Sequence, residues 1–250
     1  MDLNADMGEG FGAYTLGDDE ALLRVVTSAN VACGFHAGDP LVMRRTCVAA
    51  ATAGVGVGAH PSFRDLAGFG RRVLDCSPEE IAADVAYQIA ALVGVARSAG
   101  ATVTHVKPHG ALYNLIAHDE TRARAVARAI VEVAPELAVL TLPGCVMAHE
   151  ASALGLRVVP EAFADRGYNS DGSLVSRKLP GAVLHDTDAI CARMVRLATT
   201  GQIETVDGHV ISLQAESICV HGDTPGAVAI ATALRSALES AGVWVAGLAR

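Results

Sequence analysis

Along the chain, short runs of apolar and β-branched residues alternate with longer stretches whose apolar positions recur every three to four residues. This is the pattern of strands covered by crossover helices. Seven strands are predicted, near residues 1 to 5, 28 to 34, 55 to 60, 103 to 108, 137 to 142, 156 to 160 and 217 to 221. Between the third and fourth, Ser77, Pro78 and Glu80 supply an N-cap, an N1 proline and a capping box. Ile81, Val85, Ile89, Leu92, Val93 and Ala96 then form one apolar stripe that stops at Gly100. Asp39-Pro40 and Thr224-Pro225 have the same cap-plus-proline form, and Gly201 and Gly242 stand where the last two helices should end. Ile203 to Leu213, with Asp207-Gly208 between β-prone flanks, reads as a hairpin built on a two-residue turn.

Two stretches lack either period: Pro61 to Ser77, and Ala162 to about Ala182. Each follows a predicted strand directly, and irregular segments of that length in compact domains are usually functional loops. The expected architecture is one α/β domain over residues 1–250, a (β/α) barrel with an irregular strand count of seven. In such a barrel the loops after the strands form the active-site face. Composition adds that 51% of residues are hydrophobic but only 4% aromatic, so the core is expected to be built from small aliphatic side chains.

A formal net charge of −8 argues against a nucleic-acid partner, whose phosphates need clustered Lys and Arg. The six cysteines show no C-x-x-C pair and are expected to be reduced. No leader pattern and no apolar run of about 18 residues is seen, so no membrane association and a cytoplasmic location are expected.

Candidate chemistry concentrates at the strand ends. His36, His60, His109 and His221 each close a predicted strand and precede Ala, Pro or Gly; Asp6 and Glu9 end the first strand and Glu161 the sixth, with Asp165 and Arg166 just after it. Neutral histidine is both a base near pH 7 and a metal ligand, so the cluster fits general acid-base or metal chemistry. A lone strand-end histidine usually only satisfies a hydrogen bond; four at seven ends favour a functional cluster. His105, His118, His149, His185 and His209 lack this placement and read as structural or surface residues, with His105 on the same strand face as Lys107.

Only two of nineteen basic residues are lysines, Lys107 and Lys178. At a strand end, the ammonium of Lys107 suits a carboxylate or phosphoryl oxygen, a reading favoured here over an ion pair to Asp6 or Glu161. Arg71 and Arg72 offer forked donors for an anion. Neither G-x-x-x-x-G-K-[ST] nor a strand-to-helix G-x-G-x-x-G occurs, so any nucleotide site is of another kind or shared; no G-x-S-x-G elbow occurs either.

The strings D-L-N-A-D-M-G-E-G, A-N-V-A-C-G-F-H-A-G-D, G-A-H-P-S-F, F-G-R-R, V-K-P-H-G-A-L-Y-N, P-E-A-F-A-D-R-G-Y and C-V-H-G-D run in this order through the chain. Together they closely resemble the LamB/YcsF family. The resemblance implies an irregular seven-stranded barrel of the glycoside hydrolase and deacetylase type. It also implies a part in converting 5-oxoproline and ATP, with Mg²⁺, to L-glutamate, ADP and phosphate alongside two partner subunits of the PxpB and PxpC type. Its motifs coincide with Asp6, Glu9, His36, His60, Lys107, His109, Glu161, Arg166 and His221; from their chemistry, Asp6, Glu9, His36, His60, Lys107, His109, Glu161 and His221 are taken as catalytic candidates and Arg71, Arg72 and Arg166 as substrate or phosphate ligands, with bound metal left open. Two other readings use the same residues. One is a stand-alone metal-dependent carbohydrate deacetylase or amidohydrolase, with Asp6 and two strand-end histidines holding the ion. The other is a non-catalytic binding subunit.

Overall fold

The computed structural model describes residues 1–248. Seven parallel strands close a barrel: β1 (Asp2–Met7), β2 (Ser28–Ala32), β3 (Gly56–His60), β4 (Val103–Val106), β5 (Ala138–Thr141), β6 (Val158–Phe163) and β9 (Ser217–Val220). Consecutive strands are neighbours up to β6, and β9 then pairs with both β6 and β1 to complete the ring. The short antiparallel pair β7 (Gln202–Glu204) and β8 (Val210–Ser212) stands outside the barrel as the expected hairpin. Its connection runs over residues 205–209 and so is longer than two residues, although Gly208 takes the left-handed conformation expected of it.

Eight helices cover the barrel among the described residues: α1 (Asp19–Leu23), α2 (Pro40–Ala53), α3 (Pro78–Ser98), α4 (Gly110–Ile116), α5 (Glu120–Val133), α6 (Val146–Ala153), α7 (Thr187–Thr200) and α8 (Ala227–Ser240). The Ser77 and Glu80 capping box forms, and Asp39 caps α2 through Leu41 and Val42. α3 is long and apolar enough to cross a membrane, but Ile81, Val85, Ile89, Leu92 and Ala96 are buried in the core of the barrel fold. Thr224-Pro225 does not start the last helix: Gly226 takes the cap position and the Thr224 hydroxyl donates to Asp165 Oδ2 at 2.9 Å. A buried carboxylate competes for this hydroxyl, and a charge-assisted bond is stronger than a cap.

Outward-facing strand residues such as Leu3, Ala5, Val31, Val57, Val106 and Ile218 join the helices in one aliphatic core, as the composition implied. The inside of the barrel is different. The residues that alternate with them on β1, β2, β4 and β9 are Asp2, Asn4, Asp6, Asn30, His105, Ser217 and Cys219, all buried. They satisfy one another: Asn4 Nδ2 donates to Ser217 Oγ at 2.7 Å, Asn30 Nδ2 to Asn4 Oδ1 at 2.7 Å and to Asp6 Oδ1 at 2.9 Å. Such a network rigidifies a core only when its members are paired. Ala138, Leu140 and Val159 make a separate small apolar patch against Leu248.

His105 fits inside because the facing position on β3 is Gly58. A Cβ there would lie 2.0 Å from His105 Nε2, so Gly58→Ala should destabilise the fold by about 3 kcal/mol through overpacking. Gly94, exposed on α3 with open space around its missing Cβ, is the control: Gly94→Ala should stabilise by about 1 kcal/mol. Urea unfolding of both variants measures the contrast.

Candidate active site at the carboxyl mouth of the barrel

Asp6 near the end of β1, Lys107 just beyond β4 and Glu161 in β6 meet at the mouth. Lys107 is buried, with Nζ 3.0 Å from Asp6 Oδ1, 3.3 Å from Glu161 Oε2, 3.1 Å from Asn4 Oδ1 and 2.9 Å from Cys219 Sγ. An ammonium has three protons, and four internal acceptors already surround this one. The preference for Lys107 as an anion-contacting residue is therefore reversed: it is an ion-paired residue whose field acts on the site. Burial opposes its charge, yet Asp6, Cys219 and Glu161 raise its pKa well above the usual lysine value. Burial likewise opposes ionisation of Asp6, but His60 and Lys107 hold its carboxyl well below the usual range. Glu161 is pushed up by burial against the pull of Lys107 and of the neighbouring buried Tyr113 hydroxyl.

Three of the predicted histidines pack together beside Asp6. His60 Nε2 lies 3.4 Å from Asp6 Oδ2 and 2.9 Å from His109 Nδ1. His36 stacks on His109 with ring centroids 3.9 Å apart, and its Nε2 is 3.6 Å from Glu9 Oε1. Burial drives the pKa of both His36 and His109 well below that of free histidine, helped by His60 for the first and His36 for the second, and pushes Glu9 well above the carboxylate range. His109 opens α4 without using its ring as a cap, which leaves the ring for the site.

The irregular loop 61–77 closes over this group, as its lack of period suggested. Phe69 takes φ 54°, a costly conformation for a side chain other than glycine, and places its ring against His36 and His109 while its carbonyl faces His109 Nε2 at 2.9 Å. Gly70 must be glycine, since a Cβ would lie 2.3 Å from Ser62 Oγ and 2.8 Å from His36 Cβ.

His221, just past β9, is held differently. Its Nδ1 donates to Asp165 Oδ1 at 2.7 Å, and Thr224 fixes the other oxygen, so Nε2 is left with a lone pair. Burial resists the charge on Asp165, but the His221 and Thr224 contacts prevail and bring its pKa down to about 2. His221, Asp6, His60, His109 and Lys107 line a cavity of about 510 Å³ together with Arg71, Arg166, Arg177 and Lys178 and the apolar Leu142 and Phe163. That volume is in the range of small-molecule sites.

The arginines divide. Arg71 lines the cavity, pairs with Asp223 at 2.6 Å and lies over the Phe69 ring. Arg72 does not line it; largely exposed, it pairs with Asp65 instead, because a carboxylate already placed by the Gly68 amide is within its reach. Arg166 is at the cavity but spends its guanidinium on the carbonyls of Ala182 and Val175, pinning loop 164–186 across the mouth. Arg177 is a cavity residue that sequence reasoning does not single out, although it sits in a loop marked by its lack of period. Asn4, Asn30 and Tyr113 escape it as well, and only strand alternation counted from Asp6 points to the first of them.

The fold defines the class: a closed, seven-stranded parallel (β/α) barrel, here with histidines, carboxylates and a buried ammonium gathered at its carboxyl mouth. The model of the LamB/YcsF family matches residues 1–250, and this chain belongs to that family. A Kocuria rhizophila protein named as a subunit of 5-oxoprolinase is 59% identical, with 100% of this chain and 99% of the relative covered. The Streptomyces coelicolor protein of the same name is 57% identical over 100% of both. The lactam utilization protein from Thermus thermophilus superposes with a TM-score of 0.94 at 45% identity, covering 99% of each chain. A family 4 carbohydrate esterase from Streptomyces lividans shares the fold at a TM-score of 0.50 and 14% identity, over 99% of this chain and 90% of the esterase.

Lys107→Met should lower stability by about 3 to 5 kcal/mol, since it leaves Asp6 and Glu161 buried without their cation. Adding Asp6→Asn should recover part of that loss, a coupling that a double-mutant unfolding cycle measures.

His105 adds a pH dependence that arises from burial of a neutral ring and has the same sign as that of a carboxylate held ionised. Burial, then Lys107 and His60, lower its pKa from 6.5 to about 3, so between those values the unfolded chain binds a proton that the folded chain does not. Stability from this residue is complete above about pH 6.5 and falls on acidification towards pH 3, by about 1.4 kcal/mol per pH unit at the steepest. Urea midpoints from pH 7 to 4 should show this slope, and His105→Asn should flatten it.

Proposed function

We propose that this chain is the barrel subunit of an ATP-dependent 5-oxoprolinase. In this reading it opens the lactam ring of 5-oxoproline to L-glutamate while ATP becomes ADP and phosphate, in a complex with two further subunits of the PxpB and PxpC type. Full-length relatives at 55–59% identity are named as subunits of 5-oxoprolinase, which is the broad support. The observation that carries the chemistry is the Asp165-oriented His221 facing a cavity whose rim holds Arg71, Arg177 and Lys178.

An unstrained lactam carbonyl is a poor electrophile. Transfer of the γ-phosphoryl group of ATP to the amide oxygen makes an imidate-like carbon that accepts water. The tetrahedral adduct then breaks its C–N bond as the ring nitrogen takes a proton, and the resulting γ-carboxyl phosphate is hydrolysed by a second water. This sequence needs a base for water, an acid for nitrogen and cations for the phosphoryl oxygens. His221 Nε2 suits the first two roles in turn, because the Asp165 carboxylate both fixes its tautomer and stabilises the imidazolium. Arg71, Arg177 and Lys178 suit the third, and the ion-paired Asp6 and Lys107 set a fixed field beneath the reacting carbon.

The absence of a phosphate-binding glycine motif is consistent with a nucleotide site completed by a partner. The pure chain is expected to show negligible 5-oxoproline hydrolysis, and addition of the partner subunits should yield glutamate and ADP in equal amounts. His221→Gln should lower kcat of the assembled complex by about 10² or more. Full ATP-coupled turnover by the isolated chain would remove the complex from this reading, and unaltered turnover of the His221→Gln complex would remove the chemistry.

A further inference from the structure

The segment 8–18, which leaves the end of β1 and carries Glu9, is pinned along its length. The Gly8 amide donates to Asp19 Oδ2 at 2.9 Å and the Gly12 amide to Asp39 Oδ2 at 2.8 Å. Phe11 and Tyr14 exchange two backbone hydrogen bonds of 2.9 Å, which close a tight turn with Gly12 at φ 57° inside it. At its far end the segment lies against the neighbour of His221, for a Cβ at Gly17 would be 3.1 Å from the Gly222 carbonyl oxygen. What this rigid turn displays is apolar: Phe11 is 44%, Leu16 40% and Tyr14 80% exposed.

Single apolar residues on a surface need no explanation, but three held in one fixed turn form a patch of the kind that marks a protein contact. Aromatic side chains are enriched in the centres of such contacts, and a backbone already fixed has little ordering entropy left to lose. Leu41, Leu66 and Val73 are exposed as well, and they follow β2 and β3, the next strands round the ring. The apolar surface thus runs over three neighbouring strand ends. Charge decides what covers it. Asp39 sits at the base of the turn, and Asp18 and Glu20 stand exposed where the segment enters α1, neither of them in an ion pair among the described residues. A second copy of this chain, packed on the same patch about a two-fold axis, would set these carboxylates against their own images, and a net charge of −8 on each copy adds to the repulsion. A different protein with basic side chains round an apolar hollow meets both features at once.

We propose that the turn at residues 11–16 is the surface on which the partner subunits of the complex dock, through an apolar hollow flanked by arginine or lysine, and that the docked partner roofs the cavity. The existence of that partner rests on the lactam reading; the place and chemistry of the contact rest on the turn. Glu9 precedes the turn directly and Gly222 packs on its far end, so whatever covers it also reaches over the mouth. Arg71 is held by Asp223, the residue after Gly222. A partner seated here therefore lies beside a cation assigned to the phosphoryl group, where its own groups complete a nucleotide site that this chain's sequence does not supply.

The test titrates the full chain with the purified partner subunits by calorimetry and follows turnover of 5-oxoproline and ATP in the same mixtures. The double variant Phe11→Ser, Tyr14→Ser should bind the partners at least about thirtyfold more weakly, the loss expected of residues at the centre of a contact. Its turnover should recover to the wild-type level once the partners saturate it, because neither side chain belongs to the site. Glu20→Lys should slow association, most of all at low salt. Trp244→Ser removes a side chain as exposed as Tyr14, at 81%, but placed at the amino end of the barrel beside Met1, and should leave binding unchanged. Should the double variant fail to fold, Tyr14→Ser alone decides. Wild-type binding without ATP-coupled turnover would defeat the lactam reading and leave the docking comparison standing. Unaltered binding by the double variant, or an equal loss in Trp244→Ser, would overturn the docking surface and leave that reading intact, and no binding by the wild-type chain would overturn both.

Discussion

One buried ammonium organises the mouth of this barrel. Lys107 reaches from beyond β4 to acceptors on β1, β6 and β9, so a single charge ties together strands from opposite sides of the ring. Removing both of its acid partners would strand the charge, and removing the charge strands both acids. Hence the polar interior behaves as a unit. Asp6 stays ionised because Lys107 and His60 are beside it, and Lys107 stays charged because Asp6 is.

The barrel therefore has two interiors with different physics. Outside the strands, aliphatic side chains pack against helices and supply the hydrophobic free energy. Inside, Asn4, Asn30, His105 and Ser217 form a hydrogen-bonded ladder that leads from Asp2 up to the site. A ladder of this kind holds Asp6 and Lys107 in one geometry, which a fluid apolar filling would not do. Its demand for space appears at Gly58, where the smallest residue admits the His105 ring.

Two environments divide the histidines. His221 is oriented by a carboxylate and opens on the cavity, an arrangement suited to moving protons. His60 and His109 are oriented by backbone carbonyls and turned on each other, with ring nitrogens 2.9 Å apart. The difference arises from the loops: the segment after β3 contributes the Phe69 carbonyl, and the segment after β6 contributes Asp165. Loop 164–186 also brings Arg177 over the cavity, with Arg166 spent on holding that loop in place.

Local patterns in the chain were enough to read the strand count, the βα alternation and the gathering of Asp6, His36, His60, His109, Glu161 and His221 at the carboxyl ends of the strands. All of these follow from periodicity, caps and the rule that side chains at parallel strand ends share one face. What each residue touches was settled by the packing of the whole chain. Lys107 turned from a candidate anion ligand into an ion-paired residue once four acceptors surrounded it, and Arg72 left the site for Asp65. Thr224 gave up a helix cap for Asp165, and Arg177 entered from a loop without a period. These outcomes depend on distances between residues far apart in the chain, 157 positions for Asn4 and Glu161, and on which lone pairs remain after the backbone has taken its share. Periodicity carries no information about either, because it reports the face a residue occupies and not the partner it meets there.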